Sequence, residues 1–183
     1  MEDSISSILI LVLLIIMSAY FSATETAYSS LNKIKLKSIA NKGNKKAKLA
    51  LELSEKYDSV ISTILIGNNI VNIATASLAT VLFTKLLGSS GVTVSTIVMT
   101  ILILIFGEIS PKSIAKDIPE SFAIVSAPLL NVFCIILKPV NHIFCLWKKL
   151  ISKVLKIQKH SGITEDEILT IAEEAENEGG INP

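Results

Sequence analysis

Residues 59–84 read SVISTILIGNNIVNIATASLATVLFT, a run of 26 residues without a charged side chain. Two further uncharged runs, Ser4–Thr24 and Leu86–Gly107, lie on either side of it along the chain. Each run is longer than the roughly 18 apolar residues that indicate a membrane-spanning helix. The sequence therefore predicts an all-α integral membrane protein with three transmembrane helices, and it argues against a disordered chain, a soluble enzyme and a nucleic-acid binder.

The composition agrees with a membrane protein that has no polyanionic partner. Of the 183 residues, 50% are apolar and only 18% are charged, against about 25% charged in a typical soluble domain. The formal net charge is +1 and every basic side chain apart from the two histidines is lysine, so no nucleic-acid partner is expected. No nucleophile–base pair or catalytic metal motif is present, and the sequence does not predict an enzyme.

The distribution of lysines predicts the topology. The segment Leu31–Asp58 contains eight lysines, and short basic loops stay on the cytoplasmic side of a membrane. The first helix then runs from outside to inside, and Lys85–Gly91 forms a short external turn before the third helix returns. We expect a multi-pass protein of the cell membrane with its N-terminus outside and its C-terminus in the cytoplasm.

A fourth apolar stretch, Ser121–Trp147, is predicted to lie along the membrane and not to cross it. Pro128 and Pro139 interrupt this stretch, and Lys138 divides it. If it crossed, the lysines that follow Trp147 would lie outside, against the positive-inside bias. We therefore expect a juxtamembrane helical belt in contact with membrane lipid at the inner leaflet.

The end of the chain predicts a short acidic cytoplasmic helix. Thr164 and Glu167 have the spacing of a capping box, and seven of the 16 acidic residues lie between Glu165 and Glu178. The predicted organisation is a transmembrane domain with juxtamembrane helices over 1–158, followed by the acidic helix and the start of a linker over 159–183.

Polar residues at membrane depth are expensive and are candidates for function. The second predicted helix carries Asn68 and Asn72, which are four residues apart and so project from one face. They lie about 15–20 Å along the helix from Ser59, at 1.5 Å per residue. The pair is compatible equally with an ion ligand and with hydrogen bonding between helices.

The third predicted helix ends in a second candidate site. Pro111 has no amide hydrogen, so the carbonyl of Gly107 loses its α-helical partner beside the carboxylate of Glu108. A free carbonyl and a carboxylate are hard oxygen donors for a cation. The alternative is a kinked helix end, in which Glu108 reaches the interface or pairs with Lys112.

The first predicted helix adds hydroxyl and carboxylate groups at Ser22, Glu25 and Thr26. A serine in an apolar helix more often bonds to its own backbone, so Ser22 alone is weak support. Taken together, the three clusters offer only oxygen donors, which suit magnesium or calcium and argue against zinc, copper or iron.

In this order, the clusters resemble the transmembrane domain of the CNNM, CorB and CorC magnesium transporters. The family's signature at the end of the first helix is similar to Phe21–Ala23 followed by Glu25 and Thr26. The family's glycine–asparagine signature in the second helix is matched by residues 67–72, with one extra asparagine. Its signature in the third helix is matched by residues 106–112. The basic run 32–37 also resembles the family's positive stretch. The resemblance covers essentially the whole chain.

The resemblance implies a homodimer with three transmembrane helices per subunit, a helical belt and a central cation site open to the cytoplasm. Carried onto this chain, it predicts Mg²⁺ ligands at Ser22, Asn72, Glu108 and the Gly107 carbonyl. The residues expected to line the pocket are Glu25, Thr26, Asn68, Pro111 and Lys112.

The resemblance also implies a function, the export of Mg²⁺ from the cytoplasm with Na⁺ as the coupling ion. In the family an acidic helical segment and a pair of nucleotide-binding CBS domains follow, and this sequence contains no CBS pair. The alternative is a non-transporting module, either a magnesium sensor or a dimeric membrane anchor. Flux in proteoliposomes distinguishes these possibilities.

Overall fold

The computed structural model describes residues 2–143, which are almost entirely helical and contain no strand over that range. The predicted all-α class is confirmed. The helices are α1 (Glu2–Ser30), α2 (Lys33–Asn41), α3 (Lys45–Glu55), α4 (Tyr57–Leu87), a 3₁₀ turn (Gly88–Ser90), α5 (Gly91–Leu102), a π-helix (Ile103–Ile109), α6 (Ser110–Asp117) and α7 (Pro119–Ile136).

Three helical stretches of the described chain are long and apolar enough to cross a membrane, namely Ile5–Ser30, Tyr57–Asp117 and Pro119–Ile136. The second of these is 61 residues long and turns back on itself at the 3₁₀ turn. The three predicted spans therefore correspond to α1, α4 and the segment formed by α5 and the π-helix. α7 meets the same criteria, and its assignment to the belt stays a prediction.

The turn at Gly88–Ser90 brings α4 and α5 side by side. The hydroxyl oxygens of Thr80 and Ser95 lie 3.3 Å apart across the two helices. A Cβ at Gly91 would clash with the backbone of Phe83, so this glycine permits the close approach. The position of the predicted external turn matches this reversal of the chain.

The lysine-rich segment between α1 and α4 forms two short helices, where the sequence analysis assigned a loop. The side chains of Asn32 and Asn44 cap α2 and α3 by accepting hydrogen bonds from the amides two and three residues on. Glu120 accepts hydrogen bonds from Lys35 Nζ at 2.9 Å and from the Asn32 amide at 3.2 Å. This ties the start of α2 to the start of α7.

The prediction that Pro128 interrupts the fourth apolar stretch is wrong. α7 runs through Pro128 without a break and ends at Ile136. An apolar helix tolerates proline where neighbouring helices compensate for the lost hydrogen bond. The break comes instead at Leu137, and Pro139 lies in the first turn of the helical segment 138–143, where its missing amide costs little.

The core that positions the polar residues is built around Phe21. This ring is fully buried and packs on the rings of Tyr20 and Phe133. A Cβ at Gly67 would clash with the Phe21 ring, so α1 and α4 approach closely where the two predicted clusters lie. The acidic helix predicted after Thr164 and the part of the belt beyond Ile143 lie outside the described residues.

Candidate cation site

The second and third predicted polar clusters meet around Ser18 of α1, a residue that was not among the predicted site residues. Ser18 is fully buried on α1. Its Oγ donates to Asn72 Oδ1 at 2.7 Å and lies 3.3 Å from Asn68 Oδ1. One hydroxyl therefore faces both asparagines of α4 and fixes their side chains on the side of the helix that faces α1.

A second contact joins α4 to the π-helix. Asn72 Nδ2 donates to Glu108 Oε1 at 3.3 Å. The amide group of Asn72 therefore faces Glu108, and the Asn72 oxygen faces Ser18. The side chains of Ser18, Asn72 and Glu108 thus form a hydrogen-bonded chain across three helical segments.

The backbone at Gly107 packs directly against Ser18, which is possible because glycine has no side chain. A Cβ at residue 107 would lie 2.9 Å from Ser18 Oγ and 3.3 Å from Ser18 Cβ. These distances are shorter than ordinary van der Waals contact. The glycine therefore allows the backbone of the π-helix to lie directly against the Ser18 hydroxyl.

The helix that carries Gly107 and Glu108 has the π register, where the sequence analysis assumed an α-helix. The amide of Ser110 bonds to the carbonyl of Ile105, five residues earlier. Pro111 has no amide hydrogen to offer, either to Phe106 in the π register or to Gly107 in the α register. Short π segments occur frequently at functional sites.

Ser22 lies one turn beyond Ser18 on α1 and is also fully buried. Its Oγ has no hydrogen-bond partner among the described residues, although its carbonyl accepts from Thr26 Oγ1 at 3.2 Å. Leaving a buried hydroxyl unpaired costs about 1–3 kcal/mol. The Ser22 hydroxyl therefore has free capacity for a ligand, whereas the Thr26 hydroxyl is directed to its own helix.

Lys112 pairs with Glu25 and not with Glu108. The Lys112 Nζ lies 3.1 Å from Glu25 Oε2, across the contact between α1 and α6. This excludes, for the described structure, the alternative in which Lys112 neutralises Glu108. The extra asparagine of the second cluster, Asn69, bonds to the Leu65 carbonyl of its own helix at 2.9 Å and is exposed.

The structure thus brings together four of the predicted site residues, which are Asn68, Asn72, Gly107 and Glu108. Ser22 lies one turn further along α1. The ion pair between Glu25 and Lys112 lies about one more turn away. That these residues bind a cation stays a prediction. Ser18 could have been found from its spacing, since it lies four residues before Ser22 and so shares its helix face.

The chemistry of the donor set fits a small hard cation. The described part of the chain has no group of three or more His, Cys, Asp or Glu side chains that could hold a metal. A cation in this site would meet one carboxylate together with neutral amide, hydroxyl and carbonyl oxygens. Mg²⁺ is typically bound through one or two carboxylates and keeps several waters.

Comparison with known proteins gives one family and a set of bacterial and plant relatives. The family model described as the cyclin M transmembrane N-terminal domain matches residues 9–183. A "UPF0053 protein" of Haemophilus influenzae is 37% identical over 171 residues, which is 91% of this chain and 40% of that protein. The "UPF0053 inner membrane protein YfjD" of Escherichia coli is 44% identical over 113 residues, 62% of this chain and 26% of that protein.

A third relative carries a name that describes a function. The "Polyamine export protein" of Haemophilus influenzae is 28% identical over 190 residues, covering 96% of this chain and 44% of that protein. The chain therefore spans less than half the length of each of these three relatives.

Proposed function

Since the chain belongs to the cyclin M (CNNM) transmembrane N-terminal domain family, we propose that it is the membrane domain of a transporter that exports Mg²⁺ from the cytoplasm. Na⁺ is the coupling ion in this proposal. The cation binds in the pocket formed by Ser22, Asn72, Glu108 and the Gly107 carbonyl, with Asn68 and Thr26 beside it. Proteins of this family are related to membrane transport, which supports a transporter.

One observation carries the proposal, the contact between the half-buried side chains of Asn72 and Glu108 in two long apolar helical segments. A carboxylate at this depth is costly unless a partner compensates its charge. A neutral amide hydrogen bond compensates only part of that cost, and a divalent cation would compensate it fully. The unpaired hydroxyl of Ser22 supports the same site.

The proposed assembly is a homodimer surrounded by membrane lipid. In the longer protein, a pair of CBS domains would follow the chain and regulate it. The length of the relatives, which extend well beyond the matched region, supports further domains.

Flux of Mg²⁺ into proteoliposomes that contain a trapped magnesium indicator tests the proposal. We expect the parent protein to move Mg²⁺ faster when a Na⁺ gradient is imposed across the bilayer, and Glu108→Ala to be inactive. Binding without flux in the parent would support the alternative, a magnesium sensor or membrane anchor, and would overturn the transporter.

A second candidate is the export of polyamines, favoured by the name of the Haemophilus influenzae relative. A polyamine carries several ammonium groups separated by methylene chains, and it would need several spaced acceptors. The described site offers one carboxylate, which fits a single small cation better. Competition calorimetry with spermidine separates the two candidates, because displacement of Mg²⁺ at equal concentration would favour the polyamine.

A further inference from the structure

Lys112 forms its ion pair with Glu25 of α1, although Glu108 is a closer acidic residue in the sequence. Glu108 lies four residues before Lys112, at the end of the π-helix that leads into α6. On a regular α-helix, a glutamate four residues N-terminal to a lysine is the favoured arrangement for an ion pair. In the structure, Lys112 Nζ lies 3.1 Å from Glu25 Oε2 on α1. The Glu108 carboxylate instead accepts a hydrogen bond from Asn72.

This choice of partner decides whether Glu108 is available to a cation. An ammonium group on Glu108 would neutralise the carboxylate and compete directly with Mg²⁺ for its oxygens. Glu25 of α1 instead forms the ion pair with the Lys112 ammonium group. Glu25 lies three residues after Ser22, and Lys112 four residues after Glu108, so the pair lies about one turn from the proposed site.

We propose that Glu25 is a positioning residue that holds Lys112 away from Glu108 and so keeps the Glu108 carboxylate free for the cation. This inference rests on the proposed function. Glu25 acts through Lys112 and does not touch the ion. Its effect is moderate, because the two side chains are 28% and 42% exposed and water screens their attraction.

A double-mutant cycle measured by Mg²⁺ calorimetry separates this role from a direct one. We expect Glu25→Gln to weaken Mg²⁺ binding about two- to fivefold, the range of a partly exposed ion pair. In the Lys112→Met background, Glu25→Gln is expected to have no effect, since no ammonium remains to be held. Equal weakening in both backgrounds would overturn the proposal, because Glu25 would then act on the ion itself.

A matched control variant neutralises an acidic side chain that lies away from the proposed site. Glu52 is exposed on α3, and Glu52→Gln changes the net charge by the same amount as Glu25→Gln. It is expected to leave Mg²⁺ binding unchanged. Weakening equal to that of Glu25→Gln would assign the effect to net charge and would contradict the proposal.

Zero-length carbodiimide cross-linking followed by peptide mass spectrometry tests the inference without Mg²⁺. We expect Lys112 to be joined to Glu25 in the parent and to Glu108 in Glu25→Gln. If Lys112 is not joined to Glu108 in Glu25→Gln, the positioning role is wrong even if Mg²⁺ binds. If the parent binds no Mg²⁺ but the cross-link moves to Glu108, the proposed function fails while the pairing of Lys112 stands.

Discussion

Asn72 donates a hydrogen bond to Glu108 across 3.3 Å and so joins the middle of α4 to the π-helix. The same asparagine accepts a hydrogen bond from Ser18 of α1 at 2.7 Å. A single side chain therefore connects the three helical segments in which the sequence shows polar clusters. Any cation held by Glu108 would lie against the Asn72 side chain, which links the geometry of all three segments to binding.

Removing the carboxylate is expected to have the largest effect on binding. Glu108→Ala should weaken Mg²⁺ binding by more than the roughly 10- to 100-fold lost when a residue that only orients a ligand is changed. Glu108→Gln keeps the shape but loses the charge, so its affinity should lie between those of the parent and Glu108→Ala. Calorimetry in detergent measures both, and an unchanged affinity in Glu108→Ala would show that Glu108 is not a ligand.

Ser18→Ala should weaken Mg²⁺ binding about 10- to 100-fold, because Asn68 and Asn72 lose the buried hydroxyl that holds both side chains at the site. The matched control is Thr75→Val, which removes another fully buried hydroxyl on α4, one bonded only to the Val71 carbonyl of its own helix. This control should bind Mg²⁺ like the parent. Similar losses in the two variants would mean that Ser18 acts on stability alone.

Gly107→Ala should destabilise the protein through a clash with Ser18. The added Cβ would lie 2.9 Å from Ser18 Oγ, and such overpacking costs about 1–3 kcal/mol. Thermal unfolding in detergent should show a smaller loss when Gly107→Ala is made in the Ser18→Ala background, where that oxygen is absent. Equal losses in the two backgrounds would contradict the close packing of these residues.

Pro111→Ala should weaken Mg²⁺ binding without changing a ligand. The new amide can bond to the carbonyl of Gly107 or of Phe106, and it would favour a regular α-helix over the π register. Pro128→Ala on α7 is the control, since it restores an amide inside a helix outside the proposed site. Mg²⁺ affinity equal to the parent in Pro111→Ala would show that the Gly107 carbonyl is not a ligand.

The helical class and the three polar clusters were predictable because they depend on local sequence. Long uncharged runs have no stable alternative to helices in a membrane. The helices α2 and α3 were missed, although Asn32 and Asn44 are typical capping residues. α7 continues through Pro128, although an internal proline locally favours a kink or a break.

Two features of the site could not be derived from local patterns. The backbone at Gly107, inside the π-helix, packs against Ser18, a contact between residues 89 positions apart. The pairing of Lys112 with Glu25 replaces the local partner that helix spacing favours. Both features involve a contact between residues far apart in the sequence, which local patterns do not describe.

A crystal structure grown with Mn²⁺ in place of Mg²⁺, with the ion located by anomalous scattering, tests the cation site most directly. We expect one peak per subunit, bound by Glu108 and the Asn72 oxygen at about 2.0–2.2 Å from its ligands. In that state Asn72 Nδ2 no longer donates to Glu108. A bound ion located away from Glu108, or an Asn72–Glu108 hydrogen bond that persists in the ion-bound protein, would contradict the proposed site.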